Sequence, residues 1–264
     1  MIYVTGDIHG EIKRFSKKRF TEQKTMTRDD IVIILGDFGV IWDREEESER
    51  EKYTLGILEN RSYTTLFIDG NHENFDRLAA YPVKEWNGGL VHEIRPHVLH
   101  LMRAQIYTIE GKTFFTFGGA ASHDIEGCAR KEDLEKDYTA GVLNYDDPAF
   151  RQKKDRCKRE FLNYRIEGVS WWREEMPSEE EMEAGRKKLE SVDWNVDYVL
   201  THEGPTSTLN ELTDGAFVPD KLTEYFESVK QKLAYKAWYF EHHHDSIAVT
   251  DKDILLYTRI MRIE

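Results

Sequence analysis

The feature that most restricts this chain is a set of short β-branched runs that break off at Gly-Asp or Gly-Asn. Ile2–Thr5 and Ile31–Leu35 run straight into Gly6-Asp7 and Gly36-Asp37, and Thr64–Ile68 runs into Asp69-Gly70-Asn71. Four- and five-residue apolar runs closed by such turns read as buried strands. Polar stretches with helical spacing lie between them, around residues 10–20 and 46–60. Strand alternating with helix predicts βαβ units around a parallel core.

The pattern changes past residue 97. Apolar runs at 98–102, 105–109 and 113–117 follow in quick succession, and Glu110-Gly111 between the last two predicts an antiparallel hairpin. Residues 121–195 form a long charged stretch, read as an inserted or elaborated region. Its second half, 178–189, reads as a solvated helix behind Pro177, with Ser178 as N-cap and Glu181 three residues on. Strands are expected again at 196–200 and 237–240, with a helix over 219–233 between them, and a last one over 254–263. The expected organisation is one α/β domain over 1–264, elaborated at about 121–195.

Composition narrows the function classes. The 264 residues can bury most of their unfolded surface without disulfide or structural metal. Aromatics at 12% argue against disorder. The 37 basic residues against 50 acidic ones leave a net charge of −13, poorly suited to long nucleic acid, which is gripped by displacing counterions with Lys and Arg. Cys128 and Cys157 have no CxxC spacing and read as free thiols of a reducing compartment. No basic segment followed by an apolar one opens the chain, and Ile31–Leu35 is too short to span a bilayer. A cytoplasmic protein that does not bind membranes is expected; the oligomeric state is left open.

Candidate metal ligands sit just beyond the predicted strand ends, where open α/β sheets place their sites. They are Asp7-Ile8-His9, Asp37, Asn71-His72-Glu73, His202 and His242-His243-His244. Asp, Asn and His without a thiolate suit Mn, Fe or Zn.

In these five blocks, in this order, the chain resembles the metallophosphoesterases, or calcineurin-like phosphoesterases: DxH, GD, GNH with an acid, a lone H, and HxH. The resemblance runs from residue 7 to residue 244. It implies a four-layer αββα sandwich with two mixed β-sheets flanked by helices, here carrying a charged helical insertion. It implies two divalent transition-metal ions, with Mn the preferred choice over Fe or Zn. One would be held by Asp7, His9, Asp37 and His244, the second by Asp37, Asn71, His202 and His242, with Asp37 as the bridge. A metal-bridging hydroxide would attack a phosphate ester in line. His72 would be the general acid and, with Asn71, would contact substrate. The alternatives are a catalytically silent scaffold of this fold, or a nuclease or nucleotide phosphodiesterase.

Two departures from the family pattern stand out. Glu241 occupies the place of the usual Gly before the last block, either tuning a metal ligand or facing solvent. Val40 and Ile41 stand where the Ser/Thr phosphatase branch has Asp and Arg, which leaves Asp43 or Glu73 to orient His72 and Arg44 or Arg77 to supply a cation. His243 is expected to point away from the centre. The loop from Gly118 to Asp124 is a lesser candidate for a substrate loop, with His123 second to His72 as a proton donor. Trp171-Trp172 is expected to be packing.

Overall fold

The computed structural model describes residues 1–127 and 129–264, so Cys128 lies outside the described residues; Cys157 is buried. Two mixed sheets carry the architecture. The first contains β1 (Ile2–Thr5), β2 (Ile31–Leu35), β3 (Thr64–Ile68), β4 (Val83–Trp86), β5 (Gly89–Arg95), β6 (Val98–Leu101) and β13 (Met261–Ile263), in the order β13-β1-β2-β3-β6-β5-β4. The second contains β7 (Gln105–Ile109), β8 (Lys112–Phe117), β9 (Tyr198–Thr201), β10 (Ala237–Phe240), β11 (Ile247–Ala248) and β12 (Asp253–Leu255), in the order β11-β12-β10-β9-β8-β7. β1, β2, β3 and β6 run parallel, as do β8, β9, β10 and β12.

Three apolar layers explain why these runs become strands. Because side chains alternate along a strand, Ile31, Ile33 and Leu35 meet Tyr107, Phe114 and Leu200 between the sheets. Val32 and Ile34 face the other way, onto Leu55 and Leu58 of α1 (Glu49–Glu59) and Leu78 of α2 (Phe75–Ala79). On the far side, Phe115, Val199 and Phe240 meet α5 (Glu179–Glu190), α6 (Thr206–Leu212) and α7 (Lys221–Lys230). Helix, sheet, sheet and helix are therefore stacked as the αββα sandwich requires. Each fully buried Leu, Ile or Phe contributes about 1.5–3 kcal/mol.

The helices start where their caps allow. Ser48 with Glu51 and Ser178 with Glu181 each form a reciprocal capping box, which opens α1 and α5. Segment 121–195 also holds α3 (Lys131–Leu134) and α4 (Phe150–Glu160).

Several sequence expectations need correction. Residues 10–20 form only a single 3₁₀ turn, Ile12–Phe15, because Phe15 and Phe20 must both turn in beneath Tyr3. The hairpin of β4 and β5 was not expected; its outer strand alternates between exposed and half-buried residues and shows no apolar run. The stretch 254–263 is two strands, not one: β12 pairs parallel with β10 in the second sheet and β13 pairs antiparallel with β1 in the first.

Candidate metal centre

The five blocks converge because β1, β2 and β3 of one sheet and β9 and β10 of the other all end at the same edge of the sandwich. Backbone pairing fixes that edge. The amides of Ile8 and His9 donate to the Asp37 carbonyl, and the amide of Glu241 donates to the His202 carbonyl.

Asp37 sits at the middle and its two oxygens face different partners. Oδ1 lies 3.5 Å from His202 Nε2 and accepts the His72 backbone N–H at 2.8 Å. Oδ2 lies 3.6 Å from His9 Nε2 and 4.0 Å from His72 Nε2. Asp7 Oδ2 lies 3.5 Å from His9 Nε2 and 3.0 Å from His244 Nε2. Asp7 Oδ1 is buried without a hydrogen-bond partner, and His202 Nδ1 is 3.6 Å away. An anionic oxygen without a donor in a buried site is costly.

Asn71 and His202 show a similar need. The Asn71 amide N–H donates to Ser122 Oγ at 3.1 Å, so Oδ1 turns toward the centre. His202 Nδ1 lies 2.8 Å from the Leu35 carbonyl and must donate to it, which leaves Nε2 facing Asn71 Oδ1 at 3.2 Å. A proton or a cation has to lie between two such acceptors. Without an ion a proton serves: burial opposes the charge on His202, but Asp37 and Asp7 hold its pKa above the ordinary value.

His242 has the opposite character. Burial pushes its pKa down to about 3; Glu203 opposes this, and His202, His123 and His243 reinforce it. A neutral imidazole is the form that ligates metal. Its Nε2 is 2.7 Å from His123 Nε2 and 3.8 Å from Glu203 Oε2. Burial also lowers the pKa of His72, with Arg165 and His9 adding to the fall and Asp37 opposing it. His243 turns to Glu203 Oε1, 2.9 Å away, and stands outside the set as expected.

Among the described residues, two groupings place metal-ligating atoms within 4.8 Å of one another: Asp7, His9 and His244; and Asp7, His202 and Glu241. The Leu35 carbonyl already occupies His202 Nδ1, so the edge of this imidazole open to a cation is Nε2. The donors are carboxylate, amide oxygen and imidazole. Together with the orphaned Asp7 Oδ1, they fit hard and borderline divalent ions.

Glu241 does not point to solvent. It is fully buried, and its carboxyl accepts the backbone N–H groups of His242 and of His244, the latter at 3.1 Å. Burial and the hydrogen bond to Asp7 hold its pKa far above the usual carboxyl range. The positive φ of this turn falls on His242 (73°) and His244 (51°), not on residue 241. His9 and Asp37 are also left-handed, at 44° and 42°. Such backbone costs about 1–3 kcal/mol per non-glycine residue, and it concentrates at functional sites. Gly36 precedes Asp37 because φ is 92° there and an added Cβ would fall 2.2 Å from His202 Nδ1.

A family model for calcineurin-like phosphoesterases matches residues 1–246. The chain belongs to that family. A comparison with curated proteins finds no match. Membership in this phosphoester-hydrolysing family implies a phosphate-ester substrate and the use of divalent metal ions. No helix among the described residues is long and apolar enough to cross a membrane.

Other expectations for this phosphoesterase-family chain fail. Glu73 does not reach His72; its carboxylate binds the amides of Phe38 (2.7 Å) and Gly39 (3.3 Å) and holds the loop after β2. Arg77 is spent on Glu51, and Arg44 lies over the Tyr145 ring. Neither supplies the cation suggested for it. Trp171 and Trp172, by contrast, are buried packing as expected, and the Trp172 indole N–H donates to Asp76 at 2.8 Å.

Sequence reasoning missed Glu203 and Glu175. Glu203 balances His242 and His243, and only its place directly after His202 hinted at a role. Glu175 accepts Ser122 N–H at 3.0 Å and Ser122 Oγ–H at 2.5 Å, and so stands behind the amide of Asn71. Nothing in the sequence marks it. The loop from Gly118 to Asp124 does stand against the centre, through Ser122 on Asn71 and His123 on His242.

Proposed function

We propose that this chain is a dinuclear metal-dependent phosphoesterase. The observation that carries the reading is Asp37, whose Oδ1 faces His202 and whose Oδ2 faces His9. Opposed oxygens on a central carboxylate suit a bridge between two cations. Asp7, His9, Asp37 and His244 would hold one ion; Asp37, Asn71, His202 and His242 would hold the other. Bound divalent ions supply charge for phosphoryl oxygens and lower the pKa of a water.

The chain's own groups do the rest. Ser122 fixes the Asn71 amide with its oxygen inward. Asp37 holds the His72 backbone, which presents that imidazole beside the centre. As water oxygen bonds to phosphorus, the ester P–O bond breaks. The leaving oxygen takes a proton from His72, and the water proton is lost to solvent. His72 is the catalytic residue we assign to that step; Asp37 and Asn71 position it and the substrate. We read 121–195 as an elaboration within one domain.

The test has two readouts. Elemental analysis after reconstitution with Mn²⁺ should approach two ions per chain, and the loaded protein should hydrolyse 4-nitrophenyl phosphate or its bis ester. A chain that stays metal-free at saturating Mn²⁺ sinks the ligand assignment. A loaded chain that hydrolyses neither ester sinks the enzyme reading alone.

A further inference from the structure

A cavity of about 230 Å³ opens beside His9 and His72. It lies between the loop after β2 and the first turns of α1, walled by Gly39, Val40, Trp42, Arg50 and Thr54. Pockets that take up whole ligands run to about 300–1,000 Å³, so this one fits part of a substrate. His72 is on its wall. On the proposed reading His72 protonates the leaving oxygen, so the group attached to that oxygen is the part that enters.

The charges say what that group carries. Four arginines near the centre are committed: Arg14 to the carbonyls of Gly6, Asp7 and Tyr257, Arg77 to Glu51, Arg103 to Asp69, and Arg165 to Asp124. Arg50 is exposed, has neither an ion pair nor a side-chain hydrogen bond among the described residues, and lines the cavity. Its Nη2 would lie 3.9 Å from a Cβ placed on Gly10, the residue after His9. Two acids share the wall. Glu51 is neutralised by Arg77 and receives the backbone N–H groups of Trp42, Asp43 and Ser48. Asp43 is exposed and has no side-chain partner among the described residues. The Trp42 ring adds a flat apolar surface, 6.2 Å from the His72 ring.

We infer that this cavity is the leaving-group subsite, and that the group it takes is compact, flat and bears a second anion, a carboxylate or a phosphate, that pairs with Arg50. The inference rests on the phosphoesterase reading for its orientation, but not for the binding of the anion. A guanidinium with no protein partner gains most from a planar or tetrahedral oxyanion, which it can grip through two N–H groups. Asp43 opposes such a group, so its charge tunes the preference.

The test uses the Mn²⁺-loaded protein and three para-substituted phenyl phosphates: carboxamide, carboxylate and phosphate. The carboxamide is a near-isostere of the carboxylate without its charge. The kcat/KM ratio of carboxylate to carboxamide should be roughly tenfold, the size of one charge-assisted contact in a half-open pocket. The ratio should fall to about one in Arg50→Gln, be partly kept in Arg50→Lys and rise in Asp43→Asn. The phosphate ester shows which oxyanion fits better. In parallel, calorimetry compares binding of 4-carboxybenzylphosphonate and 4-carbamoylbenzylphosphonate, which cannot be hydrolysed. If no ester is turned over but the carboxylate analogue binds more tightly in an Arg50-dependent way, the catalytic reading fails and the subsite stands. If wild type shows no preference in either assay, or if the preference survives Arg50→Gln, the subsite is overturned.

Discussion

At the strand tips, the side chains of the centre hang from backbone that strand pairing holds on both sides; segment 121–195 reaches the same centre through single side chains on irregular backbone. Asp7, Asp37 and Asn71 leave neighbouring strands of one sheet, and His202 and His242 leave neighbouring strands of the other. Their spacing follows from the distance between strands. Ser122, His123, Arg165, Trp172 and Glu175 have no such frame. They are placed by hydrogen bonds within the segment, to the tips and, for Trp172, to Asp76 of α2. The tips are therefore built to hold charge in a fixed geometry, while the segment holds the tips in orientation and is freer to vary.

The comparison predicts that changes at the tips cost chemistry and changes in the segment cost alignment. The largest effect is expected for Asp37→Asn. On the proposed dinuclear reading, losing an anion shared by two ions should weaken both together, at several kcal/mol of charge stabilisation, so turnover should fall on the order of 10⁴-fold. Metal titration beside His9→Ala checks this: a loss confined to one ion in both variants removes the bridge.

His72→Gln comes next. Metals should stay bound while kcat falls roughly 10³-fold for alkyl phosphates, and less for nitrophenyl phosphate, whose leaving group needs no proton. An emptied metal site in this variant would make His72 a ligand instead.

On the segment side, Ser122→Ala should weaken one ion about 10–100-fold, as loss of a partner that orients a ligand does, and spare the other. Equal weakening of both, or of neither, would dissolve the contrast between tips and segment.

Glu175 adds a pH signature. Burial raises its pKa from 4.5 to about 7, with the Ser122 donors opposing. Above its unfolded value and up to about 7, the folded chain therefore binds more protons at this residue than the unfolded one. Its contribution to stability should decline as pH rises through that window, by on the order of 2 kcal/mol. Denaturation at pH 5 and pH 8 should show a larger loss in wild type than in Glu175→Gln. Identical losses would mean that Glu175 is ionised throughout. The smallest effect is expected for Trp172→Phe, which keeps a ring against Trp42 but loses the bond to Asp76, at about 1 kcal/mol in urea unfolding.

Much of this was legible in the chain itself. β1, β2 and β3 are short runs of β-branched, aromatic and leucine residues buried on both faces, a pattern few other structures can accept. Local chemistry also spelled out the Ser178 capping box and the Glu110-Gly111 turn, since each is settled within four residues. The family blocks were readable for the same reason: each lies within the five residues that follow a strand end.

Tertiary structure alone decided the rest. Whether 254–263 is one strand or two depends on which sheet has a free edge, and both did. Glu241 could be assigned only when the amides of His242 and His244 were seen turned onto its carboxyl group. Glu175 reaches Ser122 across 53 positions, and Arg165 reaches Asp124 across 41. Sequence periodicity records which face of an element is buried, because burial repeats along it. A single hydrogen bond between distant residues repeats nowhere, so it leaves no pattern to read and exists only once the chain has closed around it.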